Sequence, residues 1–574
     1  MRIALLGTYT LDLFRDALVS RLRNFYGLPS VEVYNAGFNQ VVQEVLDDNS
    51  GLYPFDPGYV VFIADFEDLV PEDLRYSLKP KDASAVAEGI FGPYEKLVRR
   101  IRERLPKANV FFLTAVVPPR SVFPGQEYNT DSGLKGIQDE FNARLKRLAQ
   151  SDRRFTCIDY ADLVMETGFE RWFDPRLWYL AKMRLSPAAA ESLAERVGSF
   201  LTASRGLTRK CLALDLDNTL WGGVAGEDAP EKIRLDVDGP GAAFHDFQKA
   251  LLRLSRKGIL LAVCSKNYPE FSMEIIEKHP RMVLRKDDFA AIRINWENKS
   301  DNLRSIAREL NIGLDSFVFL DDNPREREEI RKILPEVAVP ELPSDPVYYA
   351  GFLKKVEWNY FNLLSITEDD LRRTRQYREQ SARREEEGKF GSLEAFYHSL
   401  DIRVSVVRLA KGSPNVERVS QLTQKTNQFN LTTRRYSIPE IAGMLDREDR
   451  VGVYYLEMRD KFGDYGIVGV IILKDTDGRT LIDTFLLSCR VIGKKAENVF
   501  LSCALRDWGR TGEVEGVFIP SAKNRLVSGL YPGLGFVPSS GPGDGSAAYV
   551  LKKDGLIFDP PWVKVISPED KPHA

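Results

Sequence analysis

The sequence predicts an α/β fold divided among three domains. Short apolar runs alternate with amphipathic helical segments in the N-terminal and middle parts of the chain, a pattern typical of parallel strands covered by helices on both faces. In the C-terminal part, strand-like runs follow one another and are joined by turn-rich segments, which favours an α+β domain with a mixed or antiparallel sheet. A chain of 574 residues is also too long for a single hydrophobic core, which usually stops growing at about 250–300 residues.

The first domain is predicted over residues 1–205. Amphipathic segments such as LDLFRDALVSRLRNFY and YEKLVRRIRERL separate five apolar runs. We interpret these runs as strands: Arg2–Leu6, Val31–Tyr34, Tyr59–Ala64, Val110–Thr114 and Phe155–Asp159. Strands that alternate with helices in this way predict a flavodoxin-like parallel sheet.

The second domain is predicted over residues 206–355, where a new series of apolar runs begins. The runs are CLALDLDNTL, GILLAVCSKN, AAIRINW, SFVFLDDNP and EVAVPEL. We interpret them as strands of a second parallel sheet. The polar run at 367–389, TEDDLRRTRQYREQSARREEEGK, predicts a solvated helix in a connecting segment over 356–388.

The third domain is predicted over residues 389–574. The runs VGVYYLEMRD, GIVGVIILK and RTLIDTFLLSCRV are interpreted as consecutive strands, with a turn at DTDGR. The segment SSGPGDGSA at 539–547 predicts a flexible loop.

Charge balance and cysteine content exclude several classes of protein. The 80 Lys and Arg residues against 83 Asp and Glu give a net charge of −3, so no nucleic-acid partner is expected. The first residues, MRIALLGTYTLDLFRDAL, reach an acidic side chain at Asp12, which argues against a secretory signal or a membrane span. The five cysteines form no CxxC pair, so neither a disulfide framework nor a structural zinc site is expected. We therefore expect a cytoplasmic protein that does not bind membranes.

Polar side chains follow three apolar strands of the second series, and a lysine lies between the second and third groups. The residues are Asp215 and Asp217 after CLAL, Ser265 after ILLAVC, Lys299 in NWENKSDNL, and Asp321 and Asp322 after FVFL. Because parallel strands end at the same edge of a sheet, these side chains are expected to meet in one crevice. Carboxylates without histidine or cysteine suit a hard cation such as Mg²⁺, and lysine and hydroxyl groups suit a phosphoryl group. The sequence therefore predicts a magnesium-dependent site for phosphoryl transfer.

The motif DLDNTL resembles the DxDx[TV] motif of haloacid-dehalogenase-like (HAD) phosphotransferases. The resemblance implies a HAD-like Rossmannoid sheet in which Asp215 is the nucleophile and Asp217 the general acid and base. It also implies that Ser265 and Lys299 contact the phosphate. The ligands of Mg²⁺ would be Asp215, Asp217, Asp321 and Asp322.

Four longer motifs resemble the FkbH-like (HAD-IIIC) proteins. They are DLDNTLWGGVAGED, AVCSKN, FLDDNPREREE and QLTQKTNQFNLTTRRY, within Arg209–Phe536. The resemblance implies a role in polyketide or tetronate biosynthesis: members take the glyceryl unit of 1,3-bisphosphoglycerate, remove its phosphate, and load the acyl group on the phosphopantetheine thiol of an acyl carrier protein. Lys266 and Asn267, in AVCSKN, are then expected to bind the substrate.

The C-terminal run FLLSCRVIGKKAE resembles the strand, loop and helix that bind pyrophosphate in GNAT-type acyltransferases, where R-x-x-G-x-G/A is common. Arg490 and Gly493 fit that pattern, and Lys495 stands in place of the later glycine. Arg490, Gly493 and Lys494 are therefore expected to hold the phosphate of a phosphopantetheine arm rather than whole coenzyme A. The amide of Asn427 is expected to contact the arm or the glycerate hydroxyls. The alternative is a strand-to-helix turn with solvated basic side chains.

Two cysteines are candidates for carrying the acyl group as a thioester. Cys264 directly precedes Ser265, and Cys489 directly precedes Arg490, a cation that would lower the pKa of its thiol. Two alternatives stay open: both thiols are buried and inert, or the carrier-protein thiol attacks the acyl phosphate directly.

The first domain also resembles SGNH (GDSL-type) hydrolases, although its catalytic set is incomplete. Gly37 and Asn39, in NAGFN, occupy plausible oxyanion positions, and FDPRLWYLAKMRLSP supplies Asp174 without a histidine. The first histidine of the chain is His245, and a Ser/His hydrolase without its base loses most of its rate. This domain is predicted to be catalytically degenerate.

The resemblance leaves three alternatives to the bifunctional enzyme. The chain could be a stand-alone HAD phosphatase for a small phosphorylated metabolite, which would use the same Asp215 and Asp217. It could be a non-enzymatic docking protein in a biosynthetic assembly. It could also be an acyltransferase with a different acyl group or acceptor.

Overall fold

The fold is described from a computed structural model, in which two compact units comprise Met1–Thr202 and Ala203–Ala574. The second unit contains two sheets, a middle one and a C-terminal one. The structure describes all residues except 76–81, 118–132, 153, 227–231, 365, 367–376, 378, 380–382, 384–385, 387–389, 477, 510–511, 540–545, 553–558 and 568–574. Most of the polar run predicted to be helical at 367–389, and most of the loop predicted at 539–547, lie outside the described residues.

The N-terminal unit contains a sheet of five parallel strands. They are Arg2–Gly7 (β1), Glu32–Asn35 (β2), Tyr59–Ile63 (β3), Asn109–Leu113 (β4) and Phe155–Ile158 (β5). Their order is β2-β1-β3-β4-β5. All five predicted strands are confirmed, each within one residue of its predicted bounds.

Both faces of this sheet are buried, which explains why its strands are apolar at successive positions. Ile3 and Leu5 pack in one core, whereas Ala4 and Leu6 pack in the core on the other face. The helices of the unit are Asp12–Ser20 (α1), Val41–Leu46 (α2), Leu52–Phe55 (α3), Phe66–Leu69 (α4), Glu72–Arg75 (α5), Ala83–Arg104 (α6), Leu134–Ser151 (α7), Tyr160–Thr167 (α8), Phe169–Trp172 (α9), Pro175–Ala181 (α10) and Pro187–Ser204 (α11).

The middle sheet has four parallel strands. They are Cys211–Leu214 (β6), Leu260–Ser265 (β7), Phe289–Ile294 (β8) and Phe317–Leu320 (β9). Their order is β8-β7-β6-β9, which makes β6 and β9 direct neighbours. The associated helices are Ala242–Arg256 (α12), Pro269–Lys278 (α13), Lys299–Leu310 (α14), Pro324–Ile333 (α15) and Tyr349–Phe361 (α16).

The prediction of a strand at EVAVPEL is wrong. This segment makes only an isolated parallel bridge, between Val318 and Ala338. The next carbonyl, that of Val339, instead accepts from the Arg331 guanidinium at 2.7 Å. Residue 340 is a proline, which has no N–H to extend a ladder.

Helix α16 crosses the boundary that the sequence predicted between residues 355 and 356. Leu353, Val356 and Phe361 are all buried in the same core as Phe247 of α12. The helical layer of the middle sheet therefore extends to Phe361.

The C-terminal sheet has eight strands and is mixed, as predicted. The strands are Ile402–Arg408 (β10), Val451–Asp460 (β11), Gly463–Thr476 (β12), Arg479–Leu487 (β13), Val514–Phe518 (β14), Val537–Ser539 (β15), Ala547–Leu551 (β16) and Val563–Val565 (β17). In the order β15-β16-β14-β13-β12-β11-β10-β17, only the pairs β13–β14 and β10–β17 are parallel.

The helices of the C-terminal part cover this sheet. They are Leu393–Ser399 (α17), Val416–Lys425 (α18), Ile438–Leu445 (α19), Ala496–Trp508 (α20) and Leu530–Gly533 (α21). Of the helices that the structure describes throughout the chain, none combines the length and the apolar character needed to cross a membrane.

Strands β13 and β14 pair over only three residues and then diverge. The segment Phe429–Leu431 lies in the gap between them. The N–H of Leu431 donates to the Phe485 carbonyl at 3.1 Å, and the Ile519 N–H donates to the Leu431 carbonyl at 2.8 Å. The polar segment around Asn427 is therefore anchored at its end by two strands of the sheet.

The buried side chain of Gln248 fixes the turn that follows β6. Its Nε2 donates to the Leu220 carbonyl at 2.8 Å, and its Oε1 accepts from the N–H groups of Val283 and Leu284 at 2.9 and 3.2 Å. The side chain is fully buried, so water cannot replace these bonds.

We predict that Gln248→Leu lowers the free energy of unfolding by about 3 kcal/mol, because each buried backbone group left unpaired costs roughly 1–3 kcal/mol. Urea unfolding of the full chain measures this change. Gln43→Leu, at an exposed position of α2, is the control and should change stability by less than about 0.5 kcal/mol. Equal effects of the two substitutions would contradict the role assigned to Gln248.

Candidate active site

Two carboxylates and a lysine meet where β6 and β9 end. Asp215 and Asp321 directly follow these neighbouring strands, and Lys299 is the first residue of α14. The Lys299 ammonium lies 3.0 Å from Asp215 Oδ1 and 2.5 Å from Asp321 Oδ2. All three side chains are buried, with exposures of 7% for Asp215, 3% for Lys299 and 0% for Asp321.

The charges in this group depend on one another. Burial raises the pKa of Asp321 to about 7, and the charge of Asp215 adds to the rise. Burial and the charge of Asp215 also raise the pKa of Asp322. Although burial opposes its charge, the carboxylates of Asp215 and Asp321 raise the pKa of Lys299, so its ammonium stays charged.

Three carboxylates of this group fit a divalent cation. Asp215, Asp321 and Asp322 each offer one oxygen, and these oxygens lie within 4.8 Å of one another. Hard oxygen donors at this spacing are the ligands that Mg²⁺ takes in proteins, where waters and substrate oxygens complete the octahedron. A single ammonium does not balance the negative charge of three carboxylates, of which Asp215 and Asp321 are buried and Asp322 is half-buried.

The Asp217 carboxylate lies outside this group, which corrects the prediction that it is a fourth metal ligand. Its Oδ1 accepts from Trp221 Nε1 at 2.9 Å and from the Ala225 N–H at 3.1 Å, and its Oδ2 accepts from Asn267 Nδ2 at 2.7 Å. Burial raises the pKa of Asp217 to about 6, although the hydrogen bonds from Ala225 and Trp221 oppose the rise. A carboxyl group with that pKa exchanges protons near neutral pH.

Ser265, Lys266 and Asn267, at the end of β7 and just after it, make different contacts. Ser265 ends the strand at the same edge as Asp215 and is buried. Lys266 and Asn267, predicted to bind substrate, are held by the protein itself: Lys266 Nζ lies 2.8 Å from Glu326 of α15, and Asn267 donates to Asp217. The structure therefore supports Asn267 as a residue that positions Asp217.

Three exposed aromatic side chains lie beside the site, and we call them the aromatic surface: Tyr268, Phe271 and Trp296. The ring of Tyr268 lies 5.1 Å from that of Trp296 and 6.1 Å from that of Phe271, between ring centroids. Their exposures of 46–63% leave apolar area for a ligand. Sequence reasoning missed this surface, although Tyr268 directly follows Asn267 in the sequence.

The structure contradicts the prediction that Cys264 carries an acyl group. Its side chain is fully buried and packs with apolar neighbours such as Ala262 and Leu303. Burial raises the pKa of its thiol, and the thiol lies 3.6 Å from the Lys299 carbonyl. Cys489 begins a 3₁₀ turn, Cys489–Val491, and its side chain lies outside the described part of the chain.

The residues predicted to bind the phosphopantetheine arm divide between two places. Asn427 and Arg490 line one cavity of about 330 Å³. Gly493, with a φ of +91°, and Lys494 lie on the turn before α20 and do not line that cavity. The Lys494 carbonyl accepts from Trp562 Nε1 at 3.1 Å.

The strand ends of the N-terminal sheet are closed by an ion-pair network. Arg184 Nε lies 2.8 Å from Asp65 Oδ2, and its Nη2 lies 2.7 Å from Asp68 Oδ1. The Thr8 hydroxyl donates to Asp68 at 3.1 Å. Asp174, predicted as the remnant of a catalytic pair, caps α10 by accepting from the backbone of Arg176 at 2.9 Å.

The predicted oxyanion residues belong to the loop that follows β2. Gly37 and Asn39 lie in this loop, with a φ of +52° at Asn39. Asparagine tolerates this left-handed conformation better than most residues. The sequence of this unit contains no histidine, since the first histidine of the chain is His245.

The parallel middle sheet, with carboxylates and a lysine at adjoining strand ends, defines an α/β protein with a phosphatase domain. The crystal structure of the N-terminal part of BF1531 from Bacteroides fragilis, containing a phosphatase domain complexed with Mg, is 33% identical to this chain. The match has a TM-score of 0.58 and covers 64% of this chain and 95% of that one. The chain belongs to the same family as this Bacteroides protein.

Further comparisons concern parts of the chain. Residues 2–201 match the family model of the FkbH N-terminal domain. The ribosomal-protein-S18-alanine N-acetyltransferase of Escherichia coli is 12% identical, covering 27% of this chain and 99% of that one with a TM-score of 0.21. The PaiA N-acetyltransferase of Thermoplasma acidophilum, in complex with coenzyme A, is 16% identical over 26% and 98%, also with a TM-score of 0.21. A search of curated proteins finds no match.

We predict that Arg184→Ala destabilises the N-terminal unit by about 3–5 kcal/mol at pH 8, because it leaves the buried Asp65 carboxylate without its counter-charge. Burial raises the pKa of Asp65 to about 7. Its folded-state pKa therefore exceeds its unfolded value, so stability falls as the pH rises from about 4 to 7. The loss should be smaller at pH 5, where Asp65 takes up a proton.

Urea unfolding at pH 5 and pH 8 measures this difference. Arg176→Ala, at an exposed position of α10, is the control and should leave stability almost unchanged at both pH values. A loss from Arg184→Ala that is as large at pH 5 as at pH 8 would contradict the account.

Proposed function

We propose that this chain is a magnesium-dependent phosphatase and glyceryltransferase. In this proposal it takes the D-glyceryl unit of 1,3-bisphosphoglycerate, removes its phosphate, and loads the acyl group on the phosphopantetheine thiol of an acyl carrier protein. The observation that carries the phosphatase part is the position of Lys299 between Asp215 and Asp321 at adjoining strand ends. The family relationship to a phosphatase-domain protein complexed with Mg, and the FkbH N-terminal domain match, support it.

The phosphatase step begins at Asp215. One of its carboxylate oxygens attacks the phosphorus of the C3 phosphate, and an aspartyl-phosphate forms as the bond between phosphorus and the glyceryl oxygen breaks. Lys299, buried and charged, stabilises negative charge on the transferring phosphoryl group. When bound by Asp215, Asp321 and Asp322, Mg²⁺ would neutralise phosphoryl charge and orient the phosphate.

Asp217 acts as the general acid in the first half-reaction and as the general base in the second. Its carboxyl group donates a proton to the departing glyceryl oxygen, and its carboxylate then takes a proton from the water that attacks the aspartyl-phosphate. This water releases inorganic phosphate and restores Asp215. Trp221 and Asn267 hold Asp217 in place for these transfers.

The acyl-transfer step proceeds most simply by direct attack. The thiolate of the carrier arm attacks the C1 carbonyl carbon, a carbon–sulfur bond forms, and the bond to the phosphate oxygen breaks with inorganic phosphate as the leaving group. Buried Cys264 is unsuited to a relay, which leaves Cys489 as the alternative carrier. The aromatic surface beside the crevice supports a substrate with an organic part larger than phosphate alone.

We predict that Asp215→Asn lowers phosphate release from the C3 position by at least about 10³-fold, because it removes the nucleophile. Asp301→Asn, at an exposed position of α14, is the matched control and should retain full activity. An assay of phosphate released from C3 measures both variants, and substantial release of the C3 phosphate by Asp215→Asn would contradict the assignment of the nucleophile.

We predict that the chain, Mg²⁺, 1,3-bisphosphoglycerate and a holo carrier protein together add a glyceryl mass to the carrier. With Asp215→Asn, the carrier should instead retain the heavier phosphoglyceryl group, because thiol attack at C1 does not use Asp215. Intact-protein mass spectrometry separates these products. If the carrier gains neither mass while phosphate is still released, the chain is a stand-alone phosphatase and the transferase part of the proposal fails.

A further inference from the structure

The polar cavity that Asn427 and Arg490 line lies at the opposite edge of the middle sheet from the phosphatase site. Lys210 and Ser316 precede β6 and β9 and line this cavity, whereas Asp215 and Asp321 follow the same strands. Lys210 and Asp215 lie five residue steps apart, on either side of the four-residue strand β6, which corresponds to about 16 Å at roughly 3.3 Å per step. The cavity is therefore distinct from the carboxylate group.

The C-terminal part of the chain forms the other wall of this cavity. The end of α18, the segment 426–429 and the turn after β13 contribute Lys425, Asn427 and Arg490. The two walls are joined by hydrogen bonds: Lys210 Nζ donates to the Lys425 carbonyl at 3.4 Å, and Lys523 pairs with Asp315. With a volume of about 330 Å³, the cavity is large enough for a small organic ligand.

Positive charge predominates among the lining side chains. The basic residues are Lys210, Arg418, Lys425, Arg490 and Lys523. Asp315 is the one carboxylate among the described lining residues, and it pairs with Lys523. Arg418 and Arg490 are buried, with exposures of 8% and 5%. Arg418 donates to Gln421 Oε1 and to the Ile467 carbonyl, and Arg490 Nε donates to Ser488 Oγ at 3.3 Å. Cationic side chains on a half-enclosed wall attract anions and form charge-assisted hydrogen bonds with phosphate oxygens.

Neutral polar groups complete the lining. Gln421, Thr426, Asn427, Gln428 and Ser488, which have amide or hydroxyl side chains, also line the cavity. The segment that carries most of them is fixed at its end, where Phe429–Leu431 bonds to the diverging strands. A polar wall that is ordered before binding loses little entropy when a ligand arrives.

We propose that this cavity binds a phosphate ester whose organic part carries amide or hydroxyl groups. The inference rests on the proposed function, which supplies two such esters: the phosphopantetheine arm of the carrier protein and the phosphorylated glycerate. The cationic side chains bind the phosphate, and the amides of Asn427 and Gln428 contact the organic part. The cavity thus serves as a second binding site, apart from the site of phosphate hydrolysis.

Calorimetric titration of the full-length Asp215→Asn chain, with a chelator present, tests this site without turnover. The probes are 4′-phosphopantetheine, 3-phosphoglycerate and inorganic phosphate. Lys425→Gln and Arg490→Gln should each weaken binding of the preferred ester about tenfold, because each removes a charge-assisted contact. Lys355→Gln, at an exposed position of α16, is the matched control and should bind as the parent does.

Arg490→Lys, which keeps the charge, should recover part of the affinity, and thermal unfolding of each variant verifies that it is folded. Tighter binding of 4′-phosphopantetheine identifies the carrier arm as the ligand, and tighter binding of 3-phosphoglycerate identifies the substrate. Binding of both esters that is unchanged by Lys425→Gln and Arg490→Gln, or no binding of either, would overturn the proposal. The titration uses a variant without the nucleophile, so it does not test phosphate hydrolysis, and a failure to bind either ester leaves the phosphatase assignment standing. A carrier protein that is never loaded, in turn, leaves ester binding in this cavity standing.

Discussion

The structure around the active site depends on three carboxylates, two buried and one half-buried, that lie beside one ammonium. The neighbouring parallel strands β6 and β9 bring Asp215 and Asp321 together, and Asp322 is the next residue in the sequence after Asp321. Lys299 is placed between the first two by the start of α14. Such a group is stable only when opposite charge accompanies it, so the same electrostatic constraint shapes the fold locally and selects a divalent cation and a phosphoryl group as ligands.

The two edges of the middle sheet have opposite electrostatic character. The carboxyl ends of its strands carry acidic residues, whereas the amino ends of β6 and β9 face a basic cavity shared with the C-terminal part. Such a division suits a protein that holds an anionic ligand at one edge and hydrolyses a phosphate ester at the other. The length of β6 sets the distance between the basic cavity and the acidic site. This strand of four residues is held extended by its neighbours β7 and β9.

The sequence predicted the active-site residues that depend on the order of the strands. It did not predict the roles of residues that depend on the shape of a turn or on side-chain burial. It found Asp215, Lys299 and Asp321 because strand ends converge. It misjudged Asp217, whose hydrogen bonds to Trp221 and Asn267 depend on the shape of a turn. The error at Cys264 was avoidable: neighbours on a strand point to opposite faces, so a thiol beside Ser265 faces the core. Apart from Arg490 and Asn427, the basic cavity was unpredictable, because Lys210 and Lys523 lie in separate segments of the sequence.

The most direct test of the account is the position of a bound cation. Crystals grown with Mn²⁺ in place of Mg²⁺ would give an anomalous difference signal at the metal. The account predicts one strong peak at coordination distance from the carboxylates of Asp215, Asp321 and Asp322, with the Asp217 carboxylate outside the coordination sphere. A peak elsewhere, or none with the ion in excess, would contradict it.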